Sequence, residues 1–303
     1  MKNEYTDPYI NRQTGTLKNF LGISDNDKLQ TAEAKITGIA MGRLNRDPVQ
    51  GNFDFAHLCK IHEKIFEKIY EWAGTPRTVN FEKAERALAG LSVEYSKYDE
   101  IEKDAAMVIA DMKKVNWKSL PLEQRATEFS RCMADLWKVH PFREGNTRTT
   151  VTFCCDFAES RGFGLDRDLF KDNSEYVRTA LVAASAKFSD EYVRKTLAAS
   201  LAKPDGHGTR AVLAAATENF TKALGDRSQP EHLCRIIKDG MERWEEAHLA
   251  KDNEISMGGH AQGNKMSMDD YKEKISKARK SAGKDYSAEP KREHGKSDSR
   301  SER

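Results

Sequence analysis

The chain has 303 residues, of which 38% are hydrophobic and 32% are charged, with a formal net charge of +2. This length allows one sizeable core with appendages, and the small net charge gives no reason to expect a nucleic-acid or membrane partner. The five cysteines are scattered without a CxxC pair, and no signal peptide or membrane span is visible; we therefore expect a reduced, cytoplasmic protein, although export by a dedicated secretion system would leave no such mark.

Apolar periodicity predicts helices along most of the chain, and therefore an all-α fold. In the N-terminal half, apolar residues recur at helical spacing from Phe55 to Ile69, and this helix must stop before Pro76. Residues 75–85 hold β-branched and aromatic side chains, which predicts a short hairpin or an extended flap. A further helix is predicted over residues 99–114.

The best-defined helix is predicted after Pro121. Its apolar stripe advances in steps of four and three through Leu122, Ala126, Phe129, Met133, Leu136 and His140. Pro141 ends this helix directly after His140. A second helix is expected from about Thr149 to a stop near Gly162. Residues 140–148, "HPFREGNTR", thus form a loop that leads into the N-terminus of the second helix.

The C-terminal third has weaker patterns. Residues 174–201 predict one or two helices, and residues 203–208 ("KPDGHG") indicate a boundary. From Lys265 to the end there are 12 Lys and Arg against 8 Asp and Glu, so the basic character of the chain lies in a tail that we expect to be disordered. We divide the chain into an N-terminal helical extension, a core domain, a helical C-terminal segment and a low-complexity tail, at residues 1–43, 44–203, 204–252 and 253–303.

The loop "HPFREGNTR" combines the groups that phosphoryl or nucleotidyl transfer requires. A helix N-terminus attracts phosphate, and Gly145 lets the backbone form an anion-binding nest. Arg148 can contact phosphate oxygens, and Glu144 is a hard oxygen ligand suited to Mg²⁺. His140, with an ordinary pKa of about 6.5, can accept a proton from an attacking hydroxyl. Taken singly, His140 is also typical of a core residue, Glu144 of a helix cap, Gly145 of a turn and Arg148 of a solvated charge. Their order within nine residues favours a site.

This loop resembles the motif HxFx(D/E)GNGRxxR of the Fic family. The matching residues are His140, Phe142, Glu144, Gly145, Asn146 and Arg148. Upstream, "YEWAGTPRTVNF" at residues 70–81 resembles the family's approach to its substrate-binding β-flap, and the likeness spans roughly residues 44–187. The resemblance implies a Fic-type helical bundle with a short β-hairpin flap. It also implies transfer of AMP from ATP to a Ser, Thr or Tyr hydroxyl of a target protein, with release of pyrophosphate.

The resemblance implies a role for each residue of the loop. His140 would deprotonate the target hydroxyl, Glu144 would hold Mg²⁺ against the phosphates, and Arg148 would pair with the β-phosphate region as a second catalytic residue. Phe142 would anchor the loop in the core. The implied nucleotide-binding set is Phe142, Arg143, Glu144, Gly145, Asn146, Thr147 and Arg148.

The resemblance also implies partners. The flap residues Thr78, Val79, Asn80 and Phe81 would hold the target protein by strand addition. Many relatives carry an inhibitory (S/T)xxxE(G/N) helix, and this sequence has no such motif. We therefore expect any inhibition to come from a separate small antitoxin-like protein, as for a toxin or effector. Neither nucleic acid nor a membrane is expected as a partner.

Two positions depart from the motif. Thr147 stands where the family has the second glycine of GNG, which adds a side chain and restricts the backbone. Val151 stands where the family has its closing arginine, and the lost charge-assisted contact would cost about 1.5–3 kcal/mol. Two alternatives to AMP transfer therefore stay open. One is a Fic-type kinase or other phospho-group transferase, and the other is a catalytically degenerate binding module.

Overall fold

The structure is a computed structural model, and it describes residues 7–88, 90–189, 191–192 and 228–257. Within these residues there are eight α-helices and no β-strand; one isolated bridge joins Ile10 to Leu17. The helices are α1 (Asn26–Leu44), α2 (Phe55–Phe66), α3 (Ile101–Lys114), α4 (Leu122–Val139), α5 (Asn146–Ser160), α6 (Arg167–Asp172), α7 (Ser174–Ala184) and α8 (Glu231–Met257). The predicted helical class is confirmed.

The helix predicted after Pro121 is confirmed as α4, and it is central to the fold. It packs against α3, α5, α7 and α8, while α2 packs against α1 and α5. Phe129, Met133 and Leu136 of the predicted stripe are fully buried, and each such side chain contributes about 1.5–3 kcal/mol through burial. Because α4 and α5 are both fixed along their length by this core, the loop between them is held at both ends.

Two helix boundaries differ from the prediction. The helix α2 ends at Phe66, and in the turn that follows the N–H groups of Ile69 and Tyr70 both donate to the carbonyl of Phe66. The helix α5 begins at Asn146 rather than near Thr149. Gly145 adopts φ +84° as its N-cap, so the chain turns sharply and enters the helix at once.

For residues 75–85 the sequence left a short hairpin and an extended flap open, and the structure shows an extended flap, with no β-strand in the described residues around it. Between residues 78 and 96 the chain does reverse, and the N–H of Glu85 donates to the carbonyl of Leu91 at 3.0 Å. A strand ladder does not develop because side chains take the backbone groups. The N–H of Lys83 donates to Ser92 Oγ at 3.0 Å, and Arg77 Nη1 donates to the carbonyl of Val79 at 2.7 Å. The flap is therefore an extended loop fastened by side chains.

Much of the C-terminal prediction lies outside the described residues. This holds for the boundary at residues 203–208 and for the tail after residue 257. The C-terminal segment predicted to be helical, residues 204–252, is helical where it is described, as α8, which packs against α4 and α7. None of the described helices combines the length and apolarity that crossing a membrane would need.

Candidate active site

His140 caps the C-terminus of α4 in a left-handed conformation, with φ +51° and ψ +57°. Its side chain is buried, with 6% of the residue exposed, and the ring of Tyr95 stacks on the imidazole at a centroid distance of 3.9 Å. Burial, supported by the positive charges of Lys83 and Arg77, holds the pKa of His140 well below its ordinary value. The predicted pKa of about 6.5 was therefore wrong, because desolvation disfavours the charged imidazole. At neutral pH this histidine is uncharged.

Arg77 fastens the flap to the backbone of this histidine. Its side-chain Nε donates to the carbonyl of His140 at 2.9 Å, and its backbone N–H donates to the carbonyl of Pro141 at 2.8 Å. The same guanidinium donates to the carbonyls of Val79 and Ser96, one on each arm of the flap. Arg77 is buried, and sequence reasoning did not select it. No local pattern distinguishes such an arginine, since its partners lie up to 64 residues away.

Phe142 and Asn146 build the loop from inside. Phe142 is fully buried, and its ring stacks on that of His62 at 3.8 Å. Asn146 Oδ1 accepts from the N–H of Phe142 at 2.9 Å, and Asn146 Nδ2 donates to the carbonyl of Phe142 at 2.7 Å. Both side chains are thus occupied within the protein. These contacts fix the shape of the loop that is predicted to bind the nucleotide.

Gly145 is required by two independent features. Its φ of +84° lies in the left-handed region, and a Cβ placed there would stand 2.2 Å from Cζ of Phe66. As the N-cap of α5 it has no side chain that could cap the helix, so the first N–H groups of α5 are left for an external acceptor. These groups and the positive end of the helix dipole suit a phosphate.

Neither departure from the motif disturbs the loop. Thr147 lies in the first turn of α5, and among the described non-glycine residues only Phe53 and His140 have positive φ. The expected backbone restriction therefore costs nothing here, because the position is helical. The hydroxyl of Thr147 instead accepts from Trp137 Nε1 at 2.9 Å, which ties α5 to α4. Val151 is half-buried and packs against the core.

Glu144 presents a partly exposed carboxylate, with 31% of its side chain exposed. Burial by itself would raise the pKa of Glu144, but Lys83, the N–H of Gly145 and Arg148 outweigh it and lower that pKa. The group is therefore ionised at neutral pH and fits Mg²⁺. Within the described residues no three His, Cys, Asp or Glu side chains converge. Glu144 would be joined mainly by water and phosphate oxygens, as is usual for Mg²⁺.

His62 supports Glu144 from behind. Its Nδ1 accepts from the N–H of Gly74 at 2.8 Å, so the proton is on Nε2, which donates to the carbonyl of Glu144 at 3.1 Å. Burial lowers the pKa of His62 to about 3. In the sequence His62 lies within the apolar helical stripe from Phe55 to Ile69, where a core histidine and a supporting histidine look the same.

The remaining predicted residues are linked by the N-terminal segment. Arg143 pairs with Asp7 at 2.8 Å and lies over the ring of Phe81 at 5.0 Å. The N–H of Thr78 donates to the hydroxyl of Tyr9 at 3.0 Å. Phe81 is 5.8 Å from the imidazole of His140 between ring centroids.

The two other predicted polar residues contact groups within the protein. Asn80 Oδ1 accepts from the N–H of Tyr98 at 2.8 Å. Arg148 turns towards α1, where Thr37 Oγ1 accepts from its Nη1 at 2.9 Å and Glu33 accepts from its Nη2.

Comparison with known proteins agrees with this arrangement. The sequence pattern of the Fic/DOC family matches residues 52–158, which include α2 to α4, the loop and all but the last two residues of α5. The chain is 32% identical over 163 residues to "Protein adenylyltransferase VbhT" of Bartonella schoenbuchensis, a match that covers 54% of this chain and 33% of that protein. It thus spans about a third of that relative's length. It is also 30% identical over 166 residues to "Probable protein adenylyltransferase y4lH" of Sinorhizobium fredii, covering 54% of this chain and 81% of that protein.

A solved structure shares the fold. The N-terminal Fic domain of a VirB-translocated effector from Bartonella quintana superposes with a TM-score of 0.50 at 21% identity, covering 77% of this chain and 90% of that one. The loop geometry, the sequence pattern and a relative matched over most of its length agree. This chain belongs to the Fic/DOC family.

Proposed function

We propose that the chain transfers AMP from MgATP to a Ser, Thr or Tyr hydroxyl of a target protein and releases pyrophosphate. The observation that carries this proposal is the uncapped N-terminus of α5, which a short loop joins to the neutral, buried His140. This pairing would set a proton acceptor near a helix end that suits a phosphate. The relatives named protein adenylyltransferase, at 30% and 32% identity, support the same reaction.

The proposed chemistry begins with the target hydroxyl. An imidazole nitrogen of His140 accepts its proton, the hydroxyl oxygen bonds to the α-phosphorus, and the bond from that phosphorus to the bridging oxygen breaks. The electron pair leaves with pyrophosphate. Because the pKa of His140 is low, the imidazole is ready to accept a proton at neutral pH without first losing one. In the described part of the chain no hydrogen bond engages its buried Nδ1.

The α5 end of the loop would stabilise the phosphates. The first N–H groups of α5 and the guanidinium of Arg148 would bind phosphate oxygens, and the Gly145 position lets the backbone come close. Glu144 would hold Mg²⁺, which when bound neutralises phosphate charge and orients the leaving group.

The flap would hold the target protein over the base. Phe81 and Tyr95 both face the imidazole of His140. Since Tyr95 covers this ring, a target side chain has to displace part of the flap to reach it. Strand addition along residues 78–81 stays our proposal for the binding mode.

We also retain two proposals about the setting of the reaction. All five cysteines are free thiols, which supports a reducing compartment such as the cytoplasm. Because the sequence has no (S/T)xxxE(G/N) motif, inhibition would come from a separate small antitoxin-like protein. Co-purification of the natively expressed protein should then yield a small partner, and a chain that is isolated alone and is harmless to its host would count against it.

The decisive experiment compares ATP labelled at the α-phosphate with ATP labelled at the γ-phosphate. The purified chain is incubated with each nucleotide, Mg²⁺ and a host lysate, and labelled proteins are identified by mass spectrometry. We expect a +AMP adduct with the α-label alone, absent in His140→Ala. The matched control is His57→Ala, because His57 is also buried but contacts Val49 and Phe53 in the segment before α2.

The alternatives give different results. Label from the γ-position alone would indicate phosphoryl transfer and would contradict AMP transfer. No covalent label from either position, with a target protein still bound by both wild type and His140→Ala, would indicate a binding module.

A further inference from the structure

The guanidinium of Arg148 is fixed by residues far from the loop. Its Nη1 donates to Thr37 Oγ1 at 2.9 Å, and its Nη2 donates to Glu33 Oε1. Both acceptors are on α1, and the guanidinium carbon lies 4.9 Å from the centroid of the Phe66 ring. Three contacts from two helices thus set the plane of this side chain.

Glu33 is itself held rigidly. Only 7% of the residue is exposed, and its second carboxylate oxygen accepts from the hydroxyl of Tyr70. A buried carboxylate needs such donors because its desolvation is costly. Thr37 is oriented too, since its hydroxyl donates to the carbonyl of Glu33 at 2.8 Å and leaves a lone pair for Arg148. The two acceptors on α1 are therefore oriented by hydrogen bonds within the protein.

We propose that Glu33 is a positioning residue that holds Arg148 ready for the phosphates of the nucleotide, an inference that rests on the function proposed above. An arginine has five N–H donors, and Glu33 and Thr37 engage only part of them. The remaining donors stay available for phosphate oxygens. An arginine that is already ordered loses less conformational entropy when it binds an anion. Glu33 therefore acts through Arg148 and does not itself contact the ligand.

The test is the affinity of the full chain for two probes, MgATP and adenosine, measured by isothermal titration calorimetry. We expect Glu33→Gln to weaken MgATP binding about tenfold, since the charge that orders Arg148 is lost. Adenosine has no phosphate, so its affinity should be unchanged. Tyr70→Phe should also weaken MgATP binding, but by less, because the ion pair between Glu33 and Arg148 is kept. In the background of Arg148→Met, Glu33→Gln should add no further loss.

Asp156→Asn is the matched control. Asp156 is also 7% exposed and pairs with an arginine, Arg167 at 2.7 Å, but that pair joins α5 to α6. Asp156→Asn should lower stability about as much as Glu33→Gln does and should leave MgATP affinity unchanged. If Glu33→Gln does not fold, Tyr70→Phe takes its place in the comparison of MgATP affinity with Asp156→Asn. The thermal unfolding midpoints of these two variants then give the comparison of stability.

Three results would overturn the inference. The first is MgATP binding by Glu33→Gln as tight as that of wild type, and the second is tighter binding, which would make Glu33 a restraint on Arg148. The third is an equal loss for MgATP and adenosine, which would indicate general damage. A wild-type chain that binds no MgATP at all would instead refute the proposed function, and the inference with it.

Discussion

Replacing Gly145 by alanine tests the packing of the loop most directly. The new Cβ would lie 2.2 Å and 2.3 Å from two ring carbons of Phe66, well inside contact distance, and this ring is fully buried. Crowding in a tight core costs about 1–3 kcal/mol, and the left-handed backbone adds about 1–2 kcal/mol for any residue with a Cβ. We expect Gly145→Ala to lower the free energy of unfolding by about 2–5 kcal/mol, measured by urea titration.

Gly22→Ala separates the two contributions. Gly22 has φ +66°, and a Cβ there would have no atom within 4 Å. The free energy of unfolding of this variant should therefore fall only by the cost of the left-handed backbone, about 1–2 kcal/mol. In the background of Phe66→Leu, where the ring is gone, the additional cost of Gly145→Ala should shrink to the same value. If Gly145→Ala costs no more than Gly22→Ala in the wild-type background, the proposed contact with Phe66 is refuted.

Three further predictions concern the residues around the loop. The pKa of His62 is about 3 in the folded chain and about 6.5 when unfolded, so stability falls as the pH falls from about 6.5 towards 3. Between pH 7 and pH 5 the free energy of unfolding of the wild type should fall by about 2 kcal/mol more than that of His62→Gln, measured by urea titration. An equal fall in both proteins would contradict this. Thr147→Gly, which restores the family glycine, should lower the free energy of unfolding by about 1–3 kcal/mol, because it removes the acceptor of Trp137 Nε1 and places glycine in a helix. Its affinity for MgATP, measured by calorimetry, should be unchanged. Arg77→Lys should speed proteolysis of the flap and lower kcat without changing KM for ATP, because lysine lacks the planar fork that reaches both His140 and the flap; unchanged proteolysis would refute that role.

The sequence predicted what is local and periodic. The stripe that ends at His140 follows from its spacing, and the loop motif follows from residue order. The low pKa of His140 could not be predicted, because it depends on rings and charges brought by the flap. For a related reason the sequence could not decide between a hairpin and an extended flap. β-Branched residues favour extended backbone, but whether two arms form a ladder depends on competing acceptors such as Ser92 Oγ. Glu33 lies 115 residues from Arg148, and nothing in its local sequence marks it.

The polar loop is supported by a stack of rings, and this explains why so many of its constraints come from outside the motif. His62 stacks on Phe66 at 4.6 Å, and Phe66 lies 6.1 Å from Tyr70 between ring centroids. Each ring also controls one polar group of the site. His62 donates to the carbonyl of Glu144, Phe66 lies beneath the guanidinium of Arg148, and Tyr70 holds Glu33 through its hydroxyl. A shift of any ring would thus move Glu144 or Arg148, for which we propose Mg²⁺ and phosphate binding. Substitutions in this stack should therefore change nucleotide affinity as well as stability, although none of its side chains belongs to the motif.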